Sequence, residues 1–230
     1  MRISPGASLI YWAGLNRPNF DDLYDFAESY VKPGHTVWDI GGNIGVFSFA
    51  AASRATTTGR VLCVEPDSWS VRLLKRSCKY NVGLAAPVDV LPVAISDRLS
   101  LELLNIPERS RAASHLMLSK SGAGDEITGG VRERHLTVTL TLDWLAQNYP
   151  LPDVLKIDVD GSEYHVLSGG LSMLKGKRPV VFVEVYERNA DSVTRLLEEL
   201  NYDLFDYDNG EQAKKPISRA TYNTLAIPRN

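Results

Sequence analysis

The sequence predicts an α/β fold with a doubly wound, mostly parallel sheet and an antiparallel edge strand. Short apolar strand patterns alternate with helix patterns along most of the chain, and the last two strand patterns follow each other without a helix between them. Parallel strands need crossover helices, so the alternation favours a sheet that is covered on both faces. A chain of 230 residues can form a single domain with a substantial core.

The first part of the chain carries six predicted elements. Apolar residues at helical spacing predict a helix from Asn19, and a Pro33-Gly34 turn separates it from the first strand. Ser68 is the expected N-cap of the third helix, and Pro92 interrupts the strand that follows. In chain order, the elements are a helix over 19–30, a strand over 36–40, a helix over 46–52, a strand over 60–65, a helix over 68–80 and a strand over 88–95.

The middle third of the chain has a different composition. Residues 99–103 and 135–140 alternate apolar and polar side chains, which predicts two half-exposed strands. Between them, residues 106–134 are rich in Ser, Gly and Arg and contain few large apolar residues. Segments of this length without regular structure are often functional. We therefore predict a loop over the active site across about 106–134.

Regular alternation resumes after this segment. The predicted elements are a strand over 154–159, a helix through about 174, a strand over 180–185, a helix over 191–200, and strands over 202–207 and 222–227. The last two strands predict the antiparallel edge. The sequence contains no internal repeat or interdomain linker, so we expect one domain over 1–230 with an N-terminal helical extension over about 1–32.

Charge and cysteine content limit the partners and compartments that we expect. The net charge is −3 and the pI is about 5.8, which gives no general reason to bind nucleic acid. Cys63 and Cys78 have neither metal-ligand nor redox spacing, and the absence of a disulfide framework favours a reducing compartment. The first 16 residues lack a signal-peptide pattern, and no apolar run reaches the ~20 residues of a membrane span. We therefore expect a soluble, cytoplasmic protein of undetermined oligomeric state.

A local basic patch remains open as an alternative within this acidic chain. It would include Arg109, Arg111, Lys120, Arg132 and Arg134. All five of these residues fall in the predicted loop. The overall charge balance argues against a nucleic-acid partner.

A glycine-rich turn follows the first strand, with the sequence Asp39-Ile40-Gly41-Gly42-Asn43-Ile44-Gly45. In a doubly wound sheet, ligands bind beyond the carboxyl ends of the strands. The three glycines let the main chain bend tightly and approach a ligand, and the next helix presents its N-terminal amides to that ligand. The turn therefore predicts a ligand site.

Acidic residues stand at the ends of three successive predicted strands. Asp39 can hold an ammonium group of the ligand, and Glu65, 24 residues after Gly41, can accept both hydroxyls of a ribose. Ser96 and Asp97 follow the third strand, where Asp97 can accept an adenine amino group. Together these residues indicate an adenosine ligand that carries an amino-acid moiety.

The turn has two alternative interpretations. A nicotinamide cofactor binds in a similar place, but the pattern G-x-G-x-x-G is absent and Asp39 would sit poorly beside a pyrophosphate. The simpler alternative is a tight turn with solvated acidic residues at the strand ends. The joint placement of three carboxylates favours the adenosine ligand.

Four segments resemble the FkbM family of methyltransferases, in order and with sensible separations. They are VWDIGGNIGVFSFAAA, VLCVEPDSWSVRLLKRSCKYN, TLDWLAQNYPLPDVLKIDVDGSEYHVLSGG and VVFVEVYER, and the resemblance runs from about Pro33 to Arg188. It implies the class I methyltransferase (Rossmann-like) fold, with S-adenosylmethionine as cofactor and S-adenosylhomocysteine as product. It also implies methylation of a hydroxyl group on a sugar or small natural product. The chain departs from the family at Asp160, where glutamate is more common.

The resemblance implies that five of the residues named above contact the cofactor: Asp39, Gly41, Asn43, Glu65 and Asp97. The turn and the strand ends add neighbours of these residues to the prediction. The full set of predicted cofactor-binding residues is Asp39, Gly41, Gly42, Asn43, Gly45, Glu65, Ser96 and Asp97.

A hydroxyl acceptor must lose its proton, so a base is needed within hydrogen-bond reach. Asp158 ends the fourth of the strands that alternate with helices and Glu184 ends the fifth, and paired carboxylates can raise each other's pKa. Asp158 could instead cap the next helix. His115 lies in the predicted loop, and loops carry function disproportionately. The predicted catalytic residues are therefore Asp158, Glu184 and His115.

Further residues near these strand ends leave the chemistry open in part. Asp160 and Glu163 are expected to be structural or solvated. Asp158, Asp160 and Glu184 could together hold a hard cation, but carboxylates alone are weak evidence, and we predict no required metal. The alternatives for the activity are N-methylation of a peptide, methylation of RNA, and a non-catalytic protein that binds an adenosine ligand. The sequence lacks N-P-P-Y and a Pro-Cys pair, which argues against the usual methylation of bases.

Overall fold

Helices and strands alternate along most of the chain, as the sequence predicts. The computed structural model describes residues 18–80, 82–108, 114–116, 130–208 and 215–229, and of residues 18–22 and 115 only the main chain. The described helices are α1 (Pro18–Tyr30), α2 (Val46–Ala55), α3 (Ser68–Cys78), α4 (Leu142–Asn148), α5 (Glu163–Ser168), α6 (Leu171–Lys177) and α7 (Ala190–Glu199), and a 3-10 turn covers Glu187–Asn189. The described strands are β1 (Thr36–Ile40), β2 (Arg60–Val64), β3 (Val88–Leu91), β4 (Ala94–Ile95), β5 (Ser100–Pro107), β6 (His115–Leu116), β7 (Val131–Leu140), β8 (Val154–Ile157), β9 (Val180–Glu184), β10 (Tyr202–Asp206) and β11 (Asn223–Pro228).

The described part of the chain forms a seven-stranded central sheet in the order β10-β11-β9-β8-β1-β2-β3. The pairs from β9 to β3 are parallel, whereas β11 is antiparallel to both β9 and β10. This arrangement confirms the predicted mostly parallel sheet with an antiparallel edge. The reversed strand β11 lies one place in from the edge strand β10.

Apolar side chains cover both faces of this sheet, because successive residues of a strand point to opposite faces. On one face, Val37 and Phe182 pack with Phe26 of α1 and Phe47 of α2. On the other face, Trp38 belongs to a core cluster formed with the helices from α4 onward. This cluster includes Leu142, Leu145, Val166, Leu167, Met173, Leu174, Val193 and Leu197. The double covering leaves the carboxyl ends of the strands open for a ligand site.

A second sheet, which the sequence did not predict, has the order β4-β7-β5-β6 among the described strands. The alternating strands expected over 99–103 and 135–140 are confirmed, and they pair with each other antiparallel as β5 and β7. Both strands extend into the predicted loop over 106–134, so that prediction is wrong at both ends. Between them, β6 is described, while residues 109–113 and 117–129 lie outside the described residues.

The strand expected over 88–95 is divided between the two sheets. β3 pairs with β2, whereas β4 pairs with β7. Pro92 has no N–H to continue the ladder, and the Val93 amide turns back to the Leu91 carbonyl at 3.0 Å. The predicted single strand is therefore wrong, and its two halves belong to different sheets.

Two details of the helices also differ from the prediction. Asp67, not Ser68, caps α3, because its carboxylate accepts the main-chain N–H groups of Trp69 and Ser70. The single helix expected through about 174 is divided into α5 and α6 at Gly169 and Gly170. Within the residues that the structure describes, no helix is long and apolar enough to cross a bilayer.

Candidate functional site

A cleft with about 600 Å³ of empty space opens at the carboxyl ends of β1, β2 and β8. The two sheets share its walls, because residues of β4, β5 and β6 face the strand ends of the central sheet. The lining residues are Ile40, Gly41, Asn43, Val64, Glu65, Pro66, Val93, Ala94, Ile95, Leu104, Ser114, Leu116, Asp158, Val159, Asp160 and Ser162. The cleft thus combines polar groups from the strand ends with an apolar wall from the second sheet.

The glycine turn forms part of the cleft wall at the end of β1. The main-chain N–H groups of Gly41 and Gly42 donate to the Val64 carbonyl at 2.9 and 3.0 Å. Gly41 has a φ of +79°, and a Cβ at this position would overlap the carbonyl oxygen of Asp158. A Cβ at Gly42 would overlap the Cys63 sulfur. Both positions therefore require glycine, and the bare main chain faces the cleft at Gly41.

Glu65 and Asn43 join the end of β2 to this turn. The main-chain N–H of Asn43 donates to Glu65 Oε2 at 2.8 Å, and the main-chain N–H of Asp67 donates to Oε1 at 2.7 Å. The Glu65 side chain is only 6% exposed, and burial raises its pKa to about 7 against these two hydrogen bonds. Asn43 Oδ1 is buried and has no hydrogen-bond partner among the described residues. Glu65 and Asn43 therefore present oxygen atoms at the cleft wall that can accept hydrogen bonds from a ligand.

Asp39 lies beneath the turn and not among the lining residues. Its side chain is completely buried. Oδ2 accepts a hydrogen bond from the Ser48 hydroxyl at 2.5 Å, and Oδ1 lies 3.6 Å from Lys156 Nζ. Burial raises the pKa of Asp39, while the Lys156 charge opposes the rise. Asp39, which we expected to hold an ammonium group of the ligand, thus lies next to the ammonium of Lys156.

Lys156 is the functional candidate that our sequence analysis missed. It lies on β8 and is 3% exposed, and its ammonium donates to Asp158 Oδ2 at 3.0 Å. The sequence did contain a signal, because a lysine in an otherwise apolar strand is rarely buried without a partner. The identity of that partner depends on strand register, which local spacing does not give.

Asp158 lies where the sequence predicts, at the end of β8 and on the wall of the cleft. The next helix begins at Glu163 with Ser162 as its N-cap, so the alternative of helix capping by Asp158 is wrong. Glu184 ends the neighbouring strand β9. Its pKa is raised to about 7 by burial and by the negative charge of Asp158, against Lys156 and a hydrogen bond from Tyr222. The two predicted carboxylates therefore interact.

Asp160 and Glu163 have different environments. Asp160 lines the cleft, and the Tyr186 hydroxyl donates to its Oδ1 at 2.9 Å. Burial raises the pKa of Asp160 well above its ordinary value. Asp160 is therefore partly buried at the cleft wall and is not freely solvated. Glu163 is fully buried and accepts hydrogen bonds from the Gly161 amide and the Asn189 side chain, which agrees with a structural role.

Ser96 and Asp97 follow β4 instead of the third strand of the central sheet. Asp97 Oδ2 lies 3.1 Å from His165 Nδ1, and its Oδ1 lies 3.3 Å from both the Ser96 hydroxyl and Arg98. Burial tends to raise the pKa of Asp97, but the hydrogen bond with His165 and the neighbouring charges lower it overall. At this end of the cleft, the lining residues are the preceding ones, Val93 to Ile95.

The remaining predictions concern Gly45, His115 and a metal. Gly45 is the N-cap of α2 and does not line the cleft. The main chain of His115 lies in β6, next to Asn105 of β5, whereas its side chain lies outside the described residues. Within the described ranges, no three His, Cys, Asp or Glu side chains are grouped so as to hold a metal ion.

Comparison with known proteins identifies the family. The family model described as "Methyltransferase FkbM domain" matches residues 39–204, which include every strand end that lines the cleft. The chain belongs to this family. It is therefore an S-adenosylmethionine-dependent methyltransferase, as the resemblance in the sequence implied.

Individual relatives of this FkbM-family chain agree with the assignment. Methyltransferase sdnD of Sordaria araneosa is 26% identical over 224 residues, which cover 87% of this chain and 85% of the relative. The crystal structure of an FkbM methyltransferase from Methylobacillus flagellatus is 14% identical with a TM-score of 0.55, and it covers 88% of this chain. The chain spans only 50% of that structure.

An O-methyltransferase from Thermotoga maritima has the same fold. It is 13% identical with a TM-score of 0.51, and the match covers 94% of this chain and 68% of that one. At this level of identity, the likeness concerns the fold alone. The class I methyltransferase fold that we predicted is confirmed.

Proposed function

We propose that this FkbM-family enzyme transfers a methyl group to a hydroxyl of a sugar or small natural product. The observation that carries the proposal is the division of the cleft into two ends. Asn43 and Glu65 supply polar acceptors at the β2 end, and Asp158 and Asp160 supply carboxylates at the β8 end, on the other side of β1. The first end fits a nucleoside, and the second end fits an acceptor that must be oriented and deprotonated.

The residues at the first end fit S-adenosylmethionine. Each Glu65 oxygen accepts one main-chain N–H and retains capacity for a ribose hydroxyl. The buried and unpartnered Asn43 Oδ1 favours a polar ligand group beside it. Val93, Ile95 and Leu116 provide an apolar wall against which an adenine ring can pack. The bound cofactor would supply a methyl group on a positively charged sulfur.

The other predicted cofactor residues would act around these contacts. Gly41 lets the main chain approach the ligand, and Gly42 and Gly45 allow the turn that places Asn43. Asp39 would support the turn from below, through Ser48 and Lys156. Ser96 and Asp97 would fix the end of β4 against His165. In this proposal, Gly41 approaches the cofactor directly, whereas the other residues act on it through their neighbours.

At the second end, Asp158 would orient the acceptor hydroxyl and accept its proton. Its carboxylate lies on the wall of the cleft, and Lys156 occupies Oδ2. Glu184 would add a second carboxylate from the next strand, and His115 of β6 is a further candidate for this step. A hydroxyl acceptor needs such a base within hydrogen-bond reach. The acidic character of this end disfavours RNA, since carboxylates repel phosphates.

Calorimetric titration with S-adenosylhomocysteine tests the cofactor half of the proposal. We expect binding in the micromolar range, and no binding at high micromolar ligand would overturn the proposal. Glu198→Gln, an exposed change on α7, serves as the control for any variant of the site.

Product analysis tests the acceptor half. Extracts of the source organism are supplied with cofactor that carries a ¹³C-labelled methyl group, and products are isolated by mass spectrometry. The ¹³C chemical shift then separates an O-methyl from an N-methyl product. An O-methylated sugar or small molecule supports the proposal, whereas an N-methylated peptide or a methylated RNA contradicts it.

A further inference from the structure

Lys156 occupies an unusual position for a lysine. Its neighbours on β8 are the buried apolar residues Val154, Leu155 and Ile157. The strand lies in the interior of the central sheet, between β1 and β9. Burying an ammonium group here is costly unless carboxylates compensate for the loss of water.

Strand register places those carboxylates on the same face as Lys156. Lys156 pairs with Asp39 on β1 and with Phe182 on β9. Asp158 and Glu184 each follow by two residues on their own chain segments, and residues two apart in a strand share a face. Asp39, Lys156, Asp158 and Glu184 therefore form one charged cluster, which runs from beneath the glycine turn to the acceptor end of the cleft.

The ammonium group of Lys156 lies close to two carboxylates. Nζ lies 3.0 Å from Asp158 Oδ2 and 3.6 Å from Asp39 Oδ1. Burial by itself lowers the pKa of Lys156, but the charges of Asp158, Asp39 and Glu184 raise it above its ordinary value. The lysine consequently remains charged. Its side chain is buried and is not among those that line the cleft.

We propose that Lys156 is a positioning residue, which holds the Asp158 carboxylate in one orientation and balances the charges of Asp39, Asp158 and Glu184. The single ammonium would fix the acceptor end of the cleft relative to the glycine turn, because it binds a carboxylate from each. This inference rests on the proposed function to the extent that Asp158 meets the acceptor. The charge balance itself is a property of the ligand-free chain.

The test follows the titration of Glu184, because this carboxyl lies near the lysine without binding it directly. The titratable and charged groups that influence it are Asp158, Lys156, Tyr222 and Asp208, and Asp160 interacts with the same cluster. The Glu184 signal is followed by carboxyl-detected ¹³C NMR from pH 4 to pH 9 in the ligand-free protein. Glu184→Gln provides the assignment of that signal.

In the unaltered protein we expect a midpoint near pH 7 for Glu184. Lys156→Met should raise the midpoint by about one pH unit or more, a tenfold change in proton affinity, whereas Lys156→Arg should restore most of the difference. Lys177→Met is the matched control, since Lys177 forms an ion pair with Asp153 just before β8. An unchanged midpoint in a folded Lys156→Met protein would overturn the proposal.

A second measurement covers the case in which Lys156→Met does not fold. The ¹H–¹⁵N signal of the Lys156 ammonium is observed in the unaltered protein as the pH is raised to 10. We expect the signal of a protonated, slowly exchanging ammonium throughout, and loss of its charge below pH 9 would contradict the proposal. Neither measurement requires the acceptor or turnover, so failure of this inference is distinguishable from failure of the proposed function.

Discussion

Gly41 and Asp158 approach each other so closely that a Cβ at Gly41 would overlap the carbonyl oxygen of Asp158. The two residues come from neighbouring parallel strands, and the Asp158 amide donates to the Ile40 carbonyl at 3.0 Å. The cofactor turn and the proposed acceptor end of the cleft are therefore in direct main-chain contact. A change that moves the main chain on either side of this contact is expected to disturb both ends.

Gly41→Ala should abolish most cofactor binding and destabilise the fold. Alanine would have to adopt a φ of +79° and displace the Asp158 carbonyl, so we expect a loss of about 3 kcal/mol in the free energy of unfolding. The affinity for S-adenosylhomocysteine should fall by about 100-fold or more. Urea unfolding and calorimetry measure the two effects.

Gly83→Ala is the matched control for this change. Gly83 has a similar φ of +75°, but a Cβ there would meet nothing within 4 Å. We expect a loss of about 1 kcal/mol from backbone strain alone, with unchanged cofactor affinity. Equal losses in the two variants would show that the contact with Asp158 is unimportant.

Glu65→Gln should weaken cofactor binding while the protein remains folded. The amide retains one acceptor oxygen, so one of the two main-chain N–H groups that Glu65 now accepts would face an NH₂ group. We expect the affinity for S-adenosylhomocysteine to fall about 10-fold or more in calorimetry at pH 8. Affinity equal to that of Glu198→Gln would rule out a ribose contact by Glu65.

The stability of the fold should decrease as the pH rises from about 4.5 to about 7. Burial raises the pKa of Glu65 from 4.5 to about 7 in the folded state, and Glu184 is shifted in the same direction. In this window the folded state binds more protons than the unfolded state, so the free energy of unfolding falls with rising pH, by about 3 kcal/mol for Glu65.

Two other carboxyl groups have the opposite sign in a lower window. The pKa values of Asp97 and Asp153 are lowered in the folded state, so their stabilisation is lost as the pH falls below about 4. Urea unfolding at half-unit steps of pH measures the whole profile. Glu65→Gln should flatten the slope between pH 4.5 and 7, and an unaltered slope would show that Glu65 does not titrate there.

Asp158→Asn should separate turnover from cofactor binding. The amide cannot accept a proton from the acceptor, so we expect the acceptor-dependent rate to fall by about 100-fold or more. Because Asp158 lies at the opposite end of the cleft from Glu65, the affinity for S-adenosylhomocysteine should stay within about twofold. The exposed change Asp191→Asn on α7 serves as the control, and full activity in Asp158→Asn would exclude Asp158 as the base.

The sequence predicted those parts of the molecule that depend on local signals. The alternation of strand and helix patterns predicted the central sheet, because each pattern can be recognised from a few consecutive residues. The places of Gly41, Glu65 and Asp158 at the cleft wall could be predicted for the same reason. A parallel sheet brings the carboxyl ends of its strands to one edge, so strand-end residues meet without further information.

The parts that depend on non-local pairing could not be predicted in this way. Lys156 acquires its role only through the register of β8 against β1, and Asp97 meets His165 across 68 positions of sequence. The second sheet likewise forms from strands whose partners local alternation does not specify. Pro92 did mark the break between β3 and β4, but a single proline does not tell which sheet each half joins.

Cys63 provides a direct way to observe motion beneath the cofactor turn. Its sulfur lies against Gly42, and burial raises the pKa of this thiol well above its ordinary value. A thiol reagent can modify Cys63 only when β2 and the turn separate, because the thiolate is the reactive form and is not accessible in the closed sheet. The rate of labelling therefore measures local opening, and a ligand that rests on the turn should slow it.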